Sequence, residues 1–210
     1  MKSLTAAERR LGAILSHAVL VALGLVSLLM STLENGWHQF QYYTQDSNYF
    51  SLCVSVAFLI AACHRRREDP LPQWLLTLRY LATCLLTVTF LVITLVLAPP
   101  YGWLGYRVTL FTGAMSFQHL LCPMLSFVSF FLFEDCPRGR HLPLLALIPT
   151  VLYAVVSTSL NAARVLHGPY PFLYVYEQPW WQSVIYAVVI IGGAYLVAFF
   201  LLLFKRKADR

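Results

Sequence analysis

Charge is what this chain has least of. Asp, Glu, Lys and Arg supply 11% of its 210 residues against 59% hydrophobic ones, and the mean hydropathy is +0.67. So few charges cannot clothe a soluble globular surface, which excludes a water-soluble domain and marks an integral membrane protein. The five cysteines, Cys53, Cys63, Cys84, Cys122 and Cys136, form no C-x-x-C and no pair in an outer loop, so no disulfide framework is expected. Histidines and cysteines show no clustered ligand spacing, which argues against zinc or any other metal, and no cofactor is expected. There is no internal repeat or inverted symmetry of the kind common in secondary transporters. Nor does a small-x-small cleavage site follow the first apolar run, which is longer than a signal-peptide core and is expected to be retained.

What the chain has in abundance is apolar sequence in long runs. A helix crossing a bilayer needs roughly 20 predominantly apolar residues, and six windows qualify, at about 11–30, 46–63, 74–97, 108–133, 142–161 and 184–204. The expected fold class is therefore all-α, with six transmembrane helices in one bundle and a single domain over 1–210. Short connections leave no room for a soluble catalytic domain or a nucleic-acid module.

The net charge of +6 is distributed by side. Thirteen of the fifteen basic residues flank alternate connections: Lys2, Arg9 and Arg10; Arg65, Arg66, Arg67 and Arg79; Arg138 and Arg140; Lys205, Arg206, Lys207 and Arg210. Only Arg107 and Arg164 fall on the other side. Because Lys and Arg are retained in cytoplasmic loops, both termini are expected in the cytosol, and the basic runs read as topological anchors against anionic lipid. His17, near the cytosolic end of the first span, is expected to pack at the interface.

Polar residues inside apolar runs are the candidates for function. At the start of the second span stands Tyr42-Tyr43-Thr44-Gln45-Asp46-Ser47-Asn48. If the helix has begun by Tyr42, Thr44, Ser47 and Asn48 share a face. Two readings remain open: Thr44 or Asp46 caps the helix N-terminus, or the run is a polar wall at the outer mouth of the bundle. In the fourth span Ser116, His119, Pro123 and Ser126 recur as a polar stripe. Pro123 has no N–H for the carbonyl of His119, so a kink with a free carbonyl is expected there. An ionisable residue beside a broken backbone bond within a span points to a functional site, while a histidine satisfied by an interhelical hydrogen bond is the alternative. Thr83, Thr87 and Thr94 are read as packing hydroxyls. Ser157, Asn161 and Arg164 share a face at the outer end of the fifth span, and the Pro- and aromatic-rich stretch from His167 to Trp181, including Tyr170, is either a lid or an aromatic belt.

Depth counted from the cytosolic ends puts Thr44 about 30 Å and His119 about 22 Å above the inner boundary at 1.5 Å per residue. The two differ by about 8 Å, a gap that helix tilt or the kink at Pro123 would have to close.

Thr44 at the start of the second span, His119 followed by Pro123, and Tyr170-Pro171-Phe172-Leu173 together resemble the androgen-induced gene 1 / FAR-17a-like family. Tyr43-Thr44-Gln45-Asp46-Ser47-Asn48 and His119-Leu120-Leu121-Cys122-Pro123 are especially similar to its prokaryotic relatives, the Pr6Pr membrane proteins. The resemblance runs through most of the chain as six spans. It implies an intramembrane threonine hydrolase of lipid esters, of the type formed between a fatty acid and a hydroxy fatty acid, with Thr44 as nucleophile and His119 as its partner. It also implies a prokaryotic plasma membrane location, with a membrane lipid or fatty acyl ester as substrate and no nucleic acid partner.

The pairing is chemically sound, since a threonine hydroxyl needs a base and imidazole suits that role near neutral pH. Arg164 or Asn161 is placed to hold a substrate carboxylate or a developing oxyanion. Asp46 is left between orienting His119 and pairing with Arg164 or Arg107; with Asn48 and Tyr170 it is expected in the site wall. A small transporter or channel along Asp46, Asn48, His119, Asn161 and Arg164, or a non-catalytic membrane subunit, are the other classes the sequence allows.

Overall fold

The structure is a computed structural model that describes residues 5–65 and 69–209. Lys2, Arg66, Arg67 and Arg210 of the basic anchor set lie outside the described residues.

Helix α1, Ala6–Asn35, opens with a capping box in which Thr5 and Glu8 satisfy each other's backbone N–H groups. Among its buried positions, Ala13, His17, Leu20, Gly24, Ser27 and Ser31 recur at alternating spacings of four and three, with Ser16 buried beside His17. That stripe packs on α2, Tyr43–His64, as interdigitating antiparallel helices do. Gly24 lets the two come close, because a Cβ there would stand 3.3 Å from Leu52. The other face of α1 exposes Leu11, Leu15, Leu25, Leu29 and Leu33, an outward apolar surface suited to lipid rather than water.

Helix α3, Gln73–Val92, is buried all round, as the central helix of a bundle must be, and ends in a π-helical turn, Ile93–Leu97. It contacts α2, α6, α7 and α8. A core of Tyr80, Cys84, Phe130, Leu142, Ala198 and Leu201 ties it to α6, Cys122–Leu132, α7, Leu142–Ala162, and α8, Trp180–Ala208. Six helical segments are long and apolar enough to cross a membrane, so the chain is an all-α, multi-pass membrane protein.

The fourth span departs from the continuous 108–133 helix expected of its sequence. A short helix α4, Gly102–Phe111, is separated from α5, Gly113–Ser116, by Thr112 in extended conformation and Gly113 at φ 52°. A π-helical turn, Phe117–Leu121, then leads into α6, and the span proper is Gly113–Leu132. Gly113 reaches the left-handed region at little steric cost, which lets α4 fold back beside the end of α3, where Tyr106 Oη donates to the Thr94 carbonyl at 3.0 Å.

Three charged or titratable residues lie deeper than their sequence reading. Arg79 and Lys205, counted as interfacial anchors, are fully buried, and so is His17. Arg79 makes a two-pronged contact with Glu134, Nε to Oε2 at 3.0 Å and Nη2 to Oε1 at 2.8 Å. Ser129 donates to the same carboxylate at 2.7 Å, and His17, stacked on Phe58, lies 3.3 Å from it. Lys205 is satisfied by the Phe131 carbonyl and Asp209. Glu134, distant in sequence from Arg79 and His17, and for Lys205 the Phe131 carbonyl with Asp209 one turn on, accompany this burial.

Candidate functional site

Thr44 is not a cap. The N-cap of α2 is Tyr42, with extended backbone and no side-chain capping bond, and neither Thr44 nor Asp46 serves the free N–H groups. Thr44 lies in the first turn with its hydroxyl turned into the bundle, 7% exposed.

Opposite it, the N–H of Cys122 bonds to the carbonyl of Phe117 in the π-helical turn, and the carbonyl of Gln118 follows in the stretch where Pro123 supplies no N–H. Asn48 on α2 donates from Nδ2 to Gln118 O at 3.2 Å and to Thr44 O at 2.8 Å. One amide thus fastens the Thr44 turn to the His119 turn.

That clasp closes the depth gap. His119 Nε2 stands 3.3 Å from Thr44 Oγ1, and Nδ1 is 2.9 Å from the Thr109 carbonyl on α4. A carbonyl can only accept, so in the neutral ring Nδ1 carries the proton and Nε2 presents a lone pair to the threonine hydroxyl. The break at Thr112 brings α4 back beside His119, so that the Thr109 carbonyl fixes the tautomer. On the far side of Thr44, Tyr170 Oη lies 3.5 Å from Oγ1. Burial pushes this phenol up to about 12, so it stays protonated.

Asn161 does not touch the substrate side of this group. Its Nδ2 donates to Ser157 O at 2.8 Å and Gly168 O at 2.6 Å, and its Oδ1 accepts from Gly168 N at 2.9 Å. It anchors the loop that delivers Tyr170 two residues later. Arg164 lies past the end of α7, exposed, with its guanidinium 4.7 Å from the ring centre of Tyr176. Asp46 points to the opposite side of α2, into a separate cavity with Tyr153 and Ser157, and forms no hydrogen bond or ion pair among the described residues. It pairs with none of His119, Arg164 and Arg107. Ser116 also leaves the expected stripe, since the π turn rotates it away and its hydroxyl bonds Gly113 O.

Two cavities meet at Thr44 and Tyr170. One, about 290 Å³, is walled by Val88, Val92, Ile93, Phe172, Leu173, Ala187 and Ile190. The other, about 520 Å³, holds His119 and is lined by Ser31, Gln39, Gln45, Thr109 and Gln118. The two cavities thus share the hydroxyls of Thr44 and Tyr170, and the second adds polar groups to a largely apolar lining that includes Leu97, Leu104, Val108 and Met115. The polar pair Gln118-His119 within the fourth span is legible in the sequence, and Gln118 lines the cavity beside His119; sequence reasoning missed Gln39 and the Thr109 carbonyl, for which it offers no signal. Among the described residues no three His, Cys, Asp or Glu side chains converge as metal ligands would. Compared with known proteins, the chain matches no family model, no curated protein and no solved structure.

Proposed function

We propose that the protein is an intramembrane hydrolase of lipid esters, with Thr44 as nucleophile and His119 as base. The observation that carries this reading is the lone pair of His119 Nε2 at 3.3 Å from Thr44 Oγ1, at the junction of two cavities with largely apolar linings. Thr44 Oγ1 attacks the ester carbonyl while its proton passes to Nε2, giving a tetrahedral oxyanion with Tyr170 Oη as the nearest hydroxyl donor. The bond to the alcohol oxygen breaks and His119 returns the proton to that oxygen. Water then attacks the acyl-threonine, losing its proton to His119, and the fatty acid leaves as Thr44 is regenerated.

The similarity to the androgen-induced gene 1 / FAR-17a-like family and its Pr6Pr relatives belongs to the same proposal. So does the orientation, with both termini in the cytosol and the site mouth on the outer side of a plasma membrane, which the side-by-side asymmetry of Lys and Arg supports. The transport reading gains no comparable support, since Asp46, His119 and Arg164 line different cavities.

A fluorophosphonate probe tests the reading. It should label Thr44 in the full-length protein, with labelling lost in Thr44→Ala and strongly slowed in His119→Ala. Labelling that survives Thr44→Ala sinks the proposal.

A further inference from the structure

The start of α7 and the end of α8 enclose a hollow of about 350 Å³ that shares no residue with the cavities at Thr44. Arg140 and His141 stand at its rim beside α7, and Arg206 at its rim in the last turns of α8; no Asp or Glu lines it. His141 Nε2 accepts from Arg140 Nε at 3.0 Å, and Arg206 Nη2 donates to the Gly139 carbonyl. Both guanidinium groups are otherwise unpaired: the two residues are exposed, and neither meets a carboxylate among the described residues. Asp209, one turn beyond Arg206, is taken up by Arg9 and Lys205. Two guanidinium forks at one hollow without a carboxylate match a phosphate, which arginine binds through paired N–H groups.

Below this rim the hollow is apolar. Tyr195, Phe199, Leu202 and Arg206 follow one another at spacings of four, three and four, so they share a face of α8, and Leu144 lines the hollow from α7. The rise from Tyr195 to Arg206 is about 16 Å at 1.5 Å per residue. That is close to half of a hydrocarbon core of about 30 Å, the depth of one leaflet. A cationic rim above an apolar track of this length has the form of a phospholipid, whereas a soluble anion would leave the track unused.

We infer that the hollow binds one anionic phospholipid, its phosphate held between Arg140 and Arg206 and an acyl chain laid along Tyr195, Phe199 and Leu202. Such a site differs from the diffuse attraction between basic loops and a membrane, because it selects among the basic residues at this end of the bundle. Arg138 and Lys207 are also exposed but line no part of the hollow. The inference is independent of the hydrolase reading.

Native mass spectrometry of the full-length protein, released from detergent with phosphatidylglycerol or phosphatidylcholine of identical chains, tests it. The wild type is expected to retain one phosphatidylglycerol, preferred about tenfold or more, as two basic contacts allow. Arg140→Gln with Arg206→Gln should bring the preference to within about twofold, whereas Arg138→Gln with Lys207→Gln, the same change of charge outside the hollow, should leave it intact. Because Arg206 also holds the Gly139 carbonyl, Arg140→Gln alone is the variant that spares the fold, and it should lose about fivefold. Excess inorganic phosphate should not displace the lipid. Equal loss of preference in the two double variants would reduce the hollow to diffuse charge, and displacement by inorganic phosphate would make it an anion site without a lipid. Either result overturns the assignment, as does a wild type without preference or a preference that survives in both Arg140 variants.

Discussion

Asn48 Nδ2 reaches across from α2 to the carbonyl of Gln118 at 3.2 Å, in the stretch where Pro123 supplies no N–H. Through this bond the first turn of one span is locked to the broken turn of another, with Thr44 and His119 on either side of the lock. Asn48→Leu keeps the volume and removes this donor to a buried carbonyl, at a cost of about 1–3 kcal/mol. Helix content should persist, melting in detergent should shift modestly downward, and fluorophosphonate labelling of Thr44 should slow by about tenfold or more. An unchanged labelling rate in a folded Asn48→Leu protein would show that the pair is held by other contacts.

How far the sequence leads can be judged on these same residues. Six apolar runs are legible because lipid demands long helices, and Thr44 and His119 stand out because polar groups in apolar runs are rare, whereas Tyr170 lies in the Pro- and aromatic-rich loop before α8. Residue counting put Thr44 and His119 about 8 Å apart in depth because it assumes straight helices in one register, whereas the side chains stand 3.3 Å apart. The break at Thr112 and the π turn at Phe117–Leu121 both violate that assumption. Burial of Arg79, His17 and Lys205 was illegible for another reason. Arg79 and His17 depend on Glu134, 55 residues from Arg79, and Lys205 on the distant Phe131 carbonyl together with Asp209 one turn on. Arg164 and Asp46 were misassigned because shared helical faces say nothing about the cavity that a face meets.

The return of α4 toward His119 depends on Gly105. A Cβ at this position would collide with the backbone carbonyl of Ala98, and a backbone atom cannot step aside as a side chain does. Gly105→Ala therefore moves α4 and, with it, the Thr109 carbonyl that orients the imidazole. A misplacement of about 1 Å is worth roughly a hundredfold in rate, so ester turnover should collapse while the spans remain folded. Gly193→Ala in α8 is the control, since nothing lies within 4 Å of its Cβ position. It should retain activity and gain about 0.5–1 kcal/mol in helix stability.

At the opposite end of the bundle, Glu134 is held by groups from three segments. Burial alone would raise its carboxyl, but the Arg79 guanidinium and the contacts from His17 outweigh burial and hold it well below the usual carboxylate range. Glu134→Ala leaves Arg79 buried and uncompensated, and should destabilise the protein by about 3–5 kcal/mol. Replacing both partners, Arg79→Met with Glu134→Leu, should recover most of that loss. The depressed pKa means that the contribution of Glu134 is complete above its unfolded value of about 4.3 and is lost as pH falls through the folded one. Thermal melting followed from pH 8 downward should show a loss of stability below pH ~4 that is missing in the double variant. A double variant no more stable than Glu134→Ala would remove the argument.

Tyr170 and Arg164 leave the same outer region of the chain in different environments, and they separate two views of the site. The Tyr170 hydroxyl is 3.5 Å from Thr44 Oγ1 and joins the two cavities, whereas the Arg164 guanidinium is stacked on Tyr176 outside both. Tyr170→Phe deletes one donor near the developing oxyanion and keeps the ring contacts with Phe172 and Tyr42, so kcat should fall by about a hundredfold with little change in KM. Arg164→Ala should stay within about twofold on neutral esters. Because burial pushes the Tyr170 phenol up to about 12, its donor persists beyond the ordinary tyrosine range near about 10. The ratio of wild-type to Tyr170→Phe rates should accordingly remain constant between pH 7 and ~10. A ratio that falls across that interval would mean that the phenol ionises there and that its burial does not protect the site from solvent.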